Sequence, residues 1–168
     1  MNADKRRQEI FNLLIDENKP IKGTKLAEKF NVTRQIIGKD IAILRAKGSS
    51  IIATPNGYMI NTPNDRLKEI IAVNHKSEEL FEELEIVVKY GGIIEDVIIE
   101  HPIYGEIKGT LMIKNLNDLN RFMSKLKEID AKPLSELTNG IHLHNISADS
   151  KENLELIKKE LNKKGFIL

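Results

Sequence analysis

The stretch T-K-L-A-E-K-F-N-V-T-R-Q-I-I-G-K-D-I-A-I-L-R-A-K-G, residues 24–48, limits the possible folds more than any other part of the chain. Its apolar residues form two helical sets, Leu26, Ala27 and Phe30, then Ile36 or Ile37, Ile41 and Leu44. Three to four residues separate the sets, with Val32 placed to plug the turn. Thr24 is expected to cap the first helix without a capping box, since Ala27 stands where Glu is required and Glu28 comes one place late. Thr33 caps the second helix and Gly48 closes it. Two short helices joined so tightly have helix-turn-helix spacing. Upstream, Ile10, Leu13 and Leu14, with Phe11 nearby, predict a further amphipathic helix that Pro20 and Gly23 end. Downstream, Asn56-Gly57 between short apolar runs in I-I-A-T-P-N-G-Y-M-I predicts a β-hairpin wing. Three helices and a wing make a winged helix over residues 1–62.

The second helix of that unit exposes Thr33, Arg34, Gln35, Lys39 and Arg45. Arg34 and Gln35, near its start, are expected at base edges of the major groove of double-stranded DNA, and Lys39 and Arg45 at phosphates. Charge supports this placement. Residues 1–62 carry 11 Lys and Arg against 6 Asp and Glu, and the remainder carries 15 against 19. A basic first third joined to an acidic remainder fits a nucleic-acid reader coupled to a unit that reads another signal. The absence of cysteine excludes disulfides, thiolate metal sites and a cysteine nucleophile. No long apolar run and no basic-then-apolar leader occurs, so the expected location is the cytoplasm, with no membrane partner.

After a short linker, N-T-P-N, residues 65–168 predict an α/β sandwich. L-K-E-I-I-A-V-N reads as a strand ending before His75. Ser77 is expected to cap a helix with Leu80, Leu84, Val87 and Val88 inward, stopped by Gly91-Gly92. V-I-I-E and G-T-L-M-I read as paired strands around Pro102 and Gly105. A helix starts at Asn117 or Asp118, a strand covers Gly140 to Ser147, and a last helix runs from Ser150 to Lys163. The order β-α-β-β-α-β-α is that of a ferredoxin-like sandwich with an added terminal helix, giving an α+β protein overall.

On a strand, His142 and His144 share one face. Two such imidazoles are either half-exposed surface residues or ligands of one ion. A sandwich whose first and last strands are neighbours brings His75 towards the pair, and Glu83 on the following helix supplies a carboxylate. Glu83 also has a plain reading, as one of a charged flank with Glu78, Glu79, Glu82 and Glu85. Three nitrogens and one oxygen suit zinc, nickel, iron or cobalt better than magnesium or calcium. His101, in E-H-P-I-Y-G, is a ligand donor, a turn-capping residue or part of a pocket with Tyr104. Lys108 and Arg121 are candidates for holding a small carboxylate. No H-E-x-x-H motif or phosphate loop is present, which weighs against a metal-dependent hydrolase and against an enzyme generally.

R-Q-I-I-G-K-D-I-A-I-L-R-A-K-G, V-N-H-K before an acidic helix, E-H-P-I-Y-G and G-I-H-L-H together resemble the bacterial niacin-responsive repressors of NAD biosynthesis. In these a biotin-repressor-like winged helix precedes a 3H domain named for its histidines. The resemblance covers nearly all of residues 4–168. It implies a metal set of His75, Glu83, His142 and His144, holding one divalent transition metal per subunit, nickel or zinc. It implies that His101, with Tyr104, serves the effector pocket or backs the ligands. It further implies nicotinic acid as co-repressor, a homodimer and a palindromic operator, with control of NAD synthesis or niacin uptake genes. A repressor for which the ion itself is the signal is the alternative within the same class.

Overall fold

The chain turns at Ile21, where two backbone hydrogen bonds to Tyr58, of 2.8 and 2.9 Å, pin the start of the second helix to the wing. A computed structural model describes residues 1–168, which divide into two compact units, Met1–Asn64 and Asp65–Leu168. In the first unit α1 (Ala3–Glu17) is capped by Asn2, whose side chain accepts from the Lys5 N–H. It buries Ile10 and Leu14 against α2 (Gly23–Phe30) and α3 (Arg34–Ala46). Thr33 caps α3 as expected, accepting from the Ile36 N–H at 3.3 Å. Thr24 does not cap α2. That helix begins at Gly23 with Lys22 in the cap position and no side-chain cap, because the Ile21–Tyr58 pairing turns the chain two residues early.

The wing, β1 (Ile51–Thr54) and β2 (Gly57–Ile60), is antiparallel with Thr54 opposite Gly57. Its two loop residues are therefore Pro55 and Asn56, one place before the expected Asn56-Gly57. Gly57 instead has φ +129° and passes so near the Ile21 carbonyl that a Cβ would lie 2.3 Å from the oxygen. Only glycine suits that backbone. Asp40, buried on α3, is held by Arg6 at 2.6 Å and Arg7 at 3.2 Å, both from α1.

The second unit has a four-stranded antiparallel sheet of β3 (Leu67–Asn74), β4 (Ile93–His101), β5 (Gly105–Ile113) and β6 (Ile141–Ala148) in the order β3-β6-β4-β5. The first and last strands are neighbours, as the α/β sandwich requires. In the ferredoxin-like order the third strand lies between the first two; here β6 occupies that slot. It is flanked on both edges, and so its inward residues are buried. A 3-10 turn over Ser77–Glu79 leads into α4 (Leu80–Lys89). Asn115 caps α5 (Leu116–Glu128), two residues ahead of the expected start, and Ser150 caps α6 (Lys151–Lys163) where expected. α4 packs on both α5 and α6. Leu84, Val87, Leu119, Leu154 and Ile157 of the helices meet Ile71, Val73, Ile146 and Ala148 of the sheet in one core.

Candidate metal centre and nucleic-acid interface

The period of two along each strand aims the histidines. Val73 is paired with His142 and Ile71 with His144. Ile71, Val73 and His75 alternate onto the helix-facing side, as do His142, His144, Ile146 and Ala148. From the opposing helix comes Glu83, which lies on the same stripe of α4 as Leu80, Leu84 and Val87. Glu83 is fully buried, and His75, His142 and His144 are at most 8% exposed. A carboxylate is rarely so placed without a partner.

Each ring is oriented by the backbone. The Nδ1 atoms of His75, His142 and His144 pair with the carbonyl oxygens of Lys76 at 2.8 Å, Gly140 at 2.8 Å and Asp96 at 2.5 Å. A carbonyl only accepts, so each Nδ1 is the N–H, and each Nε2 is left to act as a ligand. All three Nε2 atoms turn to Glu83. His75 Nε2 contacts Oε2 directly; His142 Nε2 stands 3.5 Å from Oε2 and His144 Nε2 2.9 Å from Oε1. Despite that short approach, Oε1 and His144 Nε2 lack the alignment of a hydrogen bond, so these two buried polar atoms meet as an ion pair with no hydrogen-bond partner. Such orphans cost stability unless something engages both.

Burial opposes charge on Glu83, yet His144 and the contacts with His142 and His75 hold its carboxyl well below its usual value. Burial pulls His75 and His144 towards neutrality, and Glu83 overrides this, raising both. The centre thus retains a carboxylate with imidazolium character around it. Donor atoms of His75, Glu83 and His142 all lie within 4.8 Å of one another, which suffices to coordinate a divalent metal. His144 faces the other carboxylate oxygen, outside that set. Imidazole nitrogen and carboxylate oxygen without thiolate are donors for a borderline transition metal.

His101 lies outside this donor set, at the β4–β5 turn, and lines a surface cavity that His142 also borders. Its Nδ1 accepts from the Ile103 and Tyr104 N–H groups at 3.1 and 3.4 Å. Tyr104 is largely exposed, with its ring 5.2 Å from that of His101. Lys108 pairs with Asp96 at 3.2 Å. Three residues that the sequence did not single out also serve the centre. Asp96 presents its carbonyl to His144 and its carboxylate to Asn145. Phe166 packs edge-on to His75. Gly140, with φ +97°, fits where a Cβ would lie 2.6 Å from the His75 carbonyl oxygen.

In the first unit Gln35, Lys39 and Arg45 are exposed on α3, and Thr33 is spent on its cap. Arg34 is exposed but folded back, its Cζ 5.2 Å from the Tyr58 ring centroid.

Two family profiles cover the chain, an HTH domain over residues 6–59 and a 3H domain over residues 68–168. The chain is 41% identical over 163 residues to the "Probable transcription repressor NiaR" of Thermotoga maritima, covering 97% of this chain and 93% of the relative. The chain belongs to this family of 3H-domain transcription repressors. It is also 34% identical over 167 residues to the "Transcription repressor NadR" of Bacillus subtilis, covering 97% of this chain and 93% of that protein. Both relatives of this 3H-domain repressor are named as repressors, not enzymes, and no helix here is long and apolar enough to cross a membrane.

Proposed function

We propose that this 3H-domain repressor binds operator DNA as a homodimer through α3, with nicotinic acid as co-repressor and one divalent ion per subunit, nickel or zinc, in the second unit. The observation that carries the proposal is the orphaned pair Glu83 Oε1 and His144 Nε2 in a buried cluster whose Nδ1 atoms are already committed to the backbone. His75, Glu83, His142 and His144 would hold the ion. When bound, it would offer a Lewis-acidic position to a carboxylate or ring nitrogen.

Beside the cluster lies a cavity of about 200 Å³. Leu80, Val97, Leu111 and Phe122 form apolar walls, and His142 and His144 reach it. It is smaller than the roughly 300–1,000 Å³ of drug-sized sites, which suits a single-ring acid. Effector binding shifts operator affinity only if the effector prefers one dimer geometry over the other. The protein would act in the cytoplasm on NAD-synthesis or niacin-uptake genes.

The orphaned pair equally supports a repressor that answers to the ion. Operator binding by chelator-treated and metal-loaded protein, each with and without nicotinate, separates the readings. Tighter binding only with nicotinate supports the co-repressor role. A metal effect with no nicotinate effect assigns the signal to the ion. No effect of either refutes both.

A further inference from the structure

The sequence places Arg34 at base edges, but the structure gives its side chain another setting. Arg34 opens α3 and lies over Gly23, the first residue of α2. A Cβ at Gly23 would fall 2.3 Å from Arg34 Nε and 2.5 Å from Cζ. One turn along α3, a Cβ at Gly38 would stand 3.5 Å from Nη1. The Tyr58 ring covers the group from the wing, 5.2 Å from Cζ to the centroid. Tyr58 is itself fixed by its two backbone bonds to Ile21. A guanidinium stacked on an aromatic face and slotted against two glycines has lost the freedom to follow a base edge.

Beside this guanidinium lies the partly positive start of a helix. α2 starts beside it with no side-chain cap, so the first-turn N–H groups are open to an acceptor. The ion pairs of the first unit are those of Arg6, Arg7 and Lys19, and none involves Arg34. An anionic oxygen satisfies both the guanidinium and the open amides, and on duplex DNA that oxygen belongs to a phosphate.

We infer that Arg34 is a pre-positioned phosphate clamp, set by Gly23, Gly38 and Tyr58 where wing, α2 and α3 meet, and that base reading falls to Gln35. This rests on the DNA-binding reading above. It makes Tyr58 and Gly23 positioning residues for DNA binding, although neither carries charge.

The test uses the full chain and a randomised duplex library, from which the wild-type protein selects a preferred site. Binding to that site and its single-base-pair variants is then measured across a salt series. Arg34→Ala is expected to weaken binding about tenfold on every variant alike and to reduce the log affinity–log salt slope by about 0.9, one phosphate contact. Gly23→Ala, whose added Cβ would meet flexible Arg34 side-chain atoms first, and Tyr58→Leu should each weaken binding about threefold with base preference unchanged. Tyr58→Phe, which keeps the ring, should bind as wild type. Thermal stability of Gly23→Ala should equal wild type, separating displacement of Arg34 from misfolding.

The inference is overturned if Arg34→Ala relaxes preference at one base pair while leaving the salt slope intact. It is equally overturned if Gly23→Ala and Tyr58→Leu leave affinity unchanged or raise it. If wild-type protein enriches no duplex, the repressor reading falls and this inference with it.

Discussion

Glu83→Gln replaces the one buried carboxylate of the centre with a group of the same shape and no charge. Glu83 is fully buried and faces three Nε2 atoms. Removing one member of a buried ion pair usually costs about 3–5 kcal/mol because the remaining charge is stranded. Here the stranded partners are imidazoles, which can shed their proton, and the amide can donate to one of them. The chelator-treated variant should therefore lose only about 1–2 kcal/mol, the scale of hydrogen bonds rearranged. Metal stabilisation is the larger signal. At a thousandfold excess over the dissociation constant, an ion bound only to the folded state contributes about 4 kcal/mol. Loss of a directly coordinating carboxylate should weaken binding at least about 100-fold, the upper end for groups that merely support ligands, and so remove about 2.7 kcal/mol. At about 4 °C per kcal/mol for a unit of roughly 100 residues, the metal-induced rise in melting temperature should fall from about 16 °C to about 5 °C. Calorimetry in chelator and then in zinc or nickel, at one fixed metal concentration, reads both quantities. An undiminished rise in the variant refutes Glu83 as a ligand.

Gly140→Ala, at φ +97° and with a Cβ 2.5 Å from Asn74 Oδ1, should cost about 2–3 kcal/mol and weaken metal binding, because the Gly140 carbonyl orients His142. Gly105→Ala, at φ +68° in open space, should lose only about 1 kcal/mol with metal binding intact, as urea denaturation and metal titration would show. For the chelator-treated protein, the raised His75 and His144 contribute stability below about pH 6.5 that is lost as pH rises through their folded values, and the depressed Glu83 contributes above about pH 4.5. Denaturation midpoints should therefore fall as pH rises above about 6.5 without metal and hold with it; a flat or rising midpoint in chelator contradicts the charge assignment.

The features legible in the sequence are those decided locally. Apolar spacing places α2 and α3, Thr33 caps its own helix, and a period of two aligns His142 with His144. Glu83 was legible too, since three residues after Leu80 and four before Val87 is the core stripe of a helix. The acidic neighbours Glu78, Glu79, Glu82 and Glu85 mask that position in composition, though not in spacing. Other features depend on distant packing. The wing turn shifts by one because Gly57 must clear the Ile21 carbonyl. Arg34 turns back because Tyr58 and Gly23, remote in sequence, make a slot for it. Asp96 supports His144 through a backbone carbonyl, which every residue possesses, so no side-chain pattern marks it.

The placement of β6 links these points to function. On an edge strand the histidine pair would be hydrated, and Glu83 would have no reason to meet it. Between β3 and β4 the pair lies under the helices, where unmet polar atoms are costly. The backbone meets part of that cost permanently, through one carbonyl for each Nδ1. What remains unmet converges on Glu83. The stability of the second unit is therefore tied to whatever occupies that one point, whereas the helices and wing of the first unit draw on a separate core. A ligand at the centre would therefore be expected to change the stability of the second unit while the first unit keeps its own core.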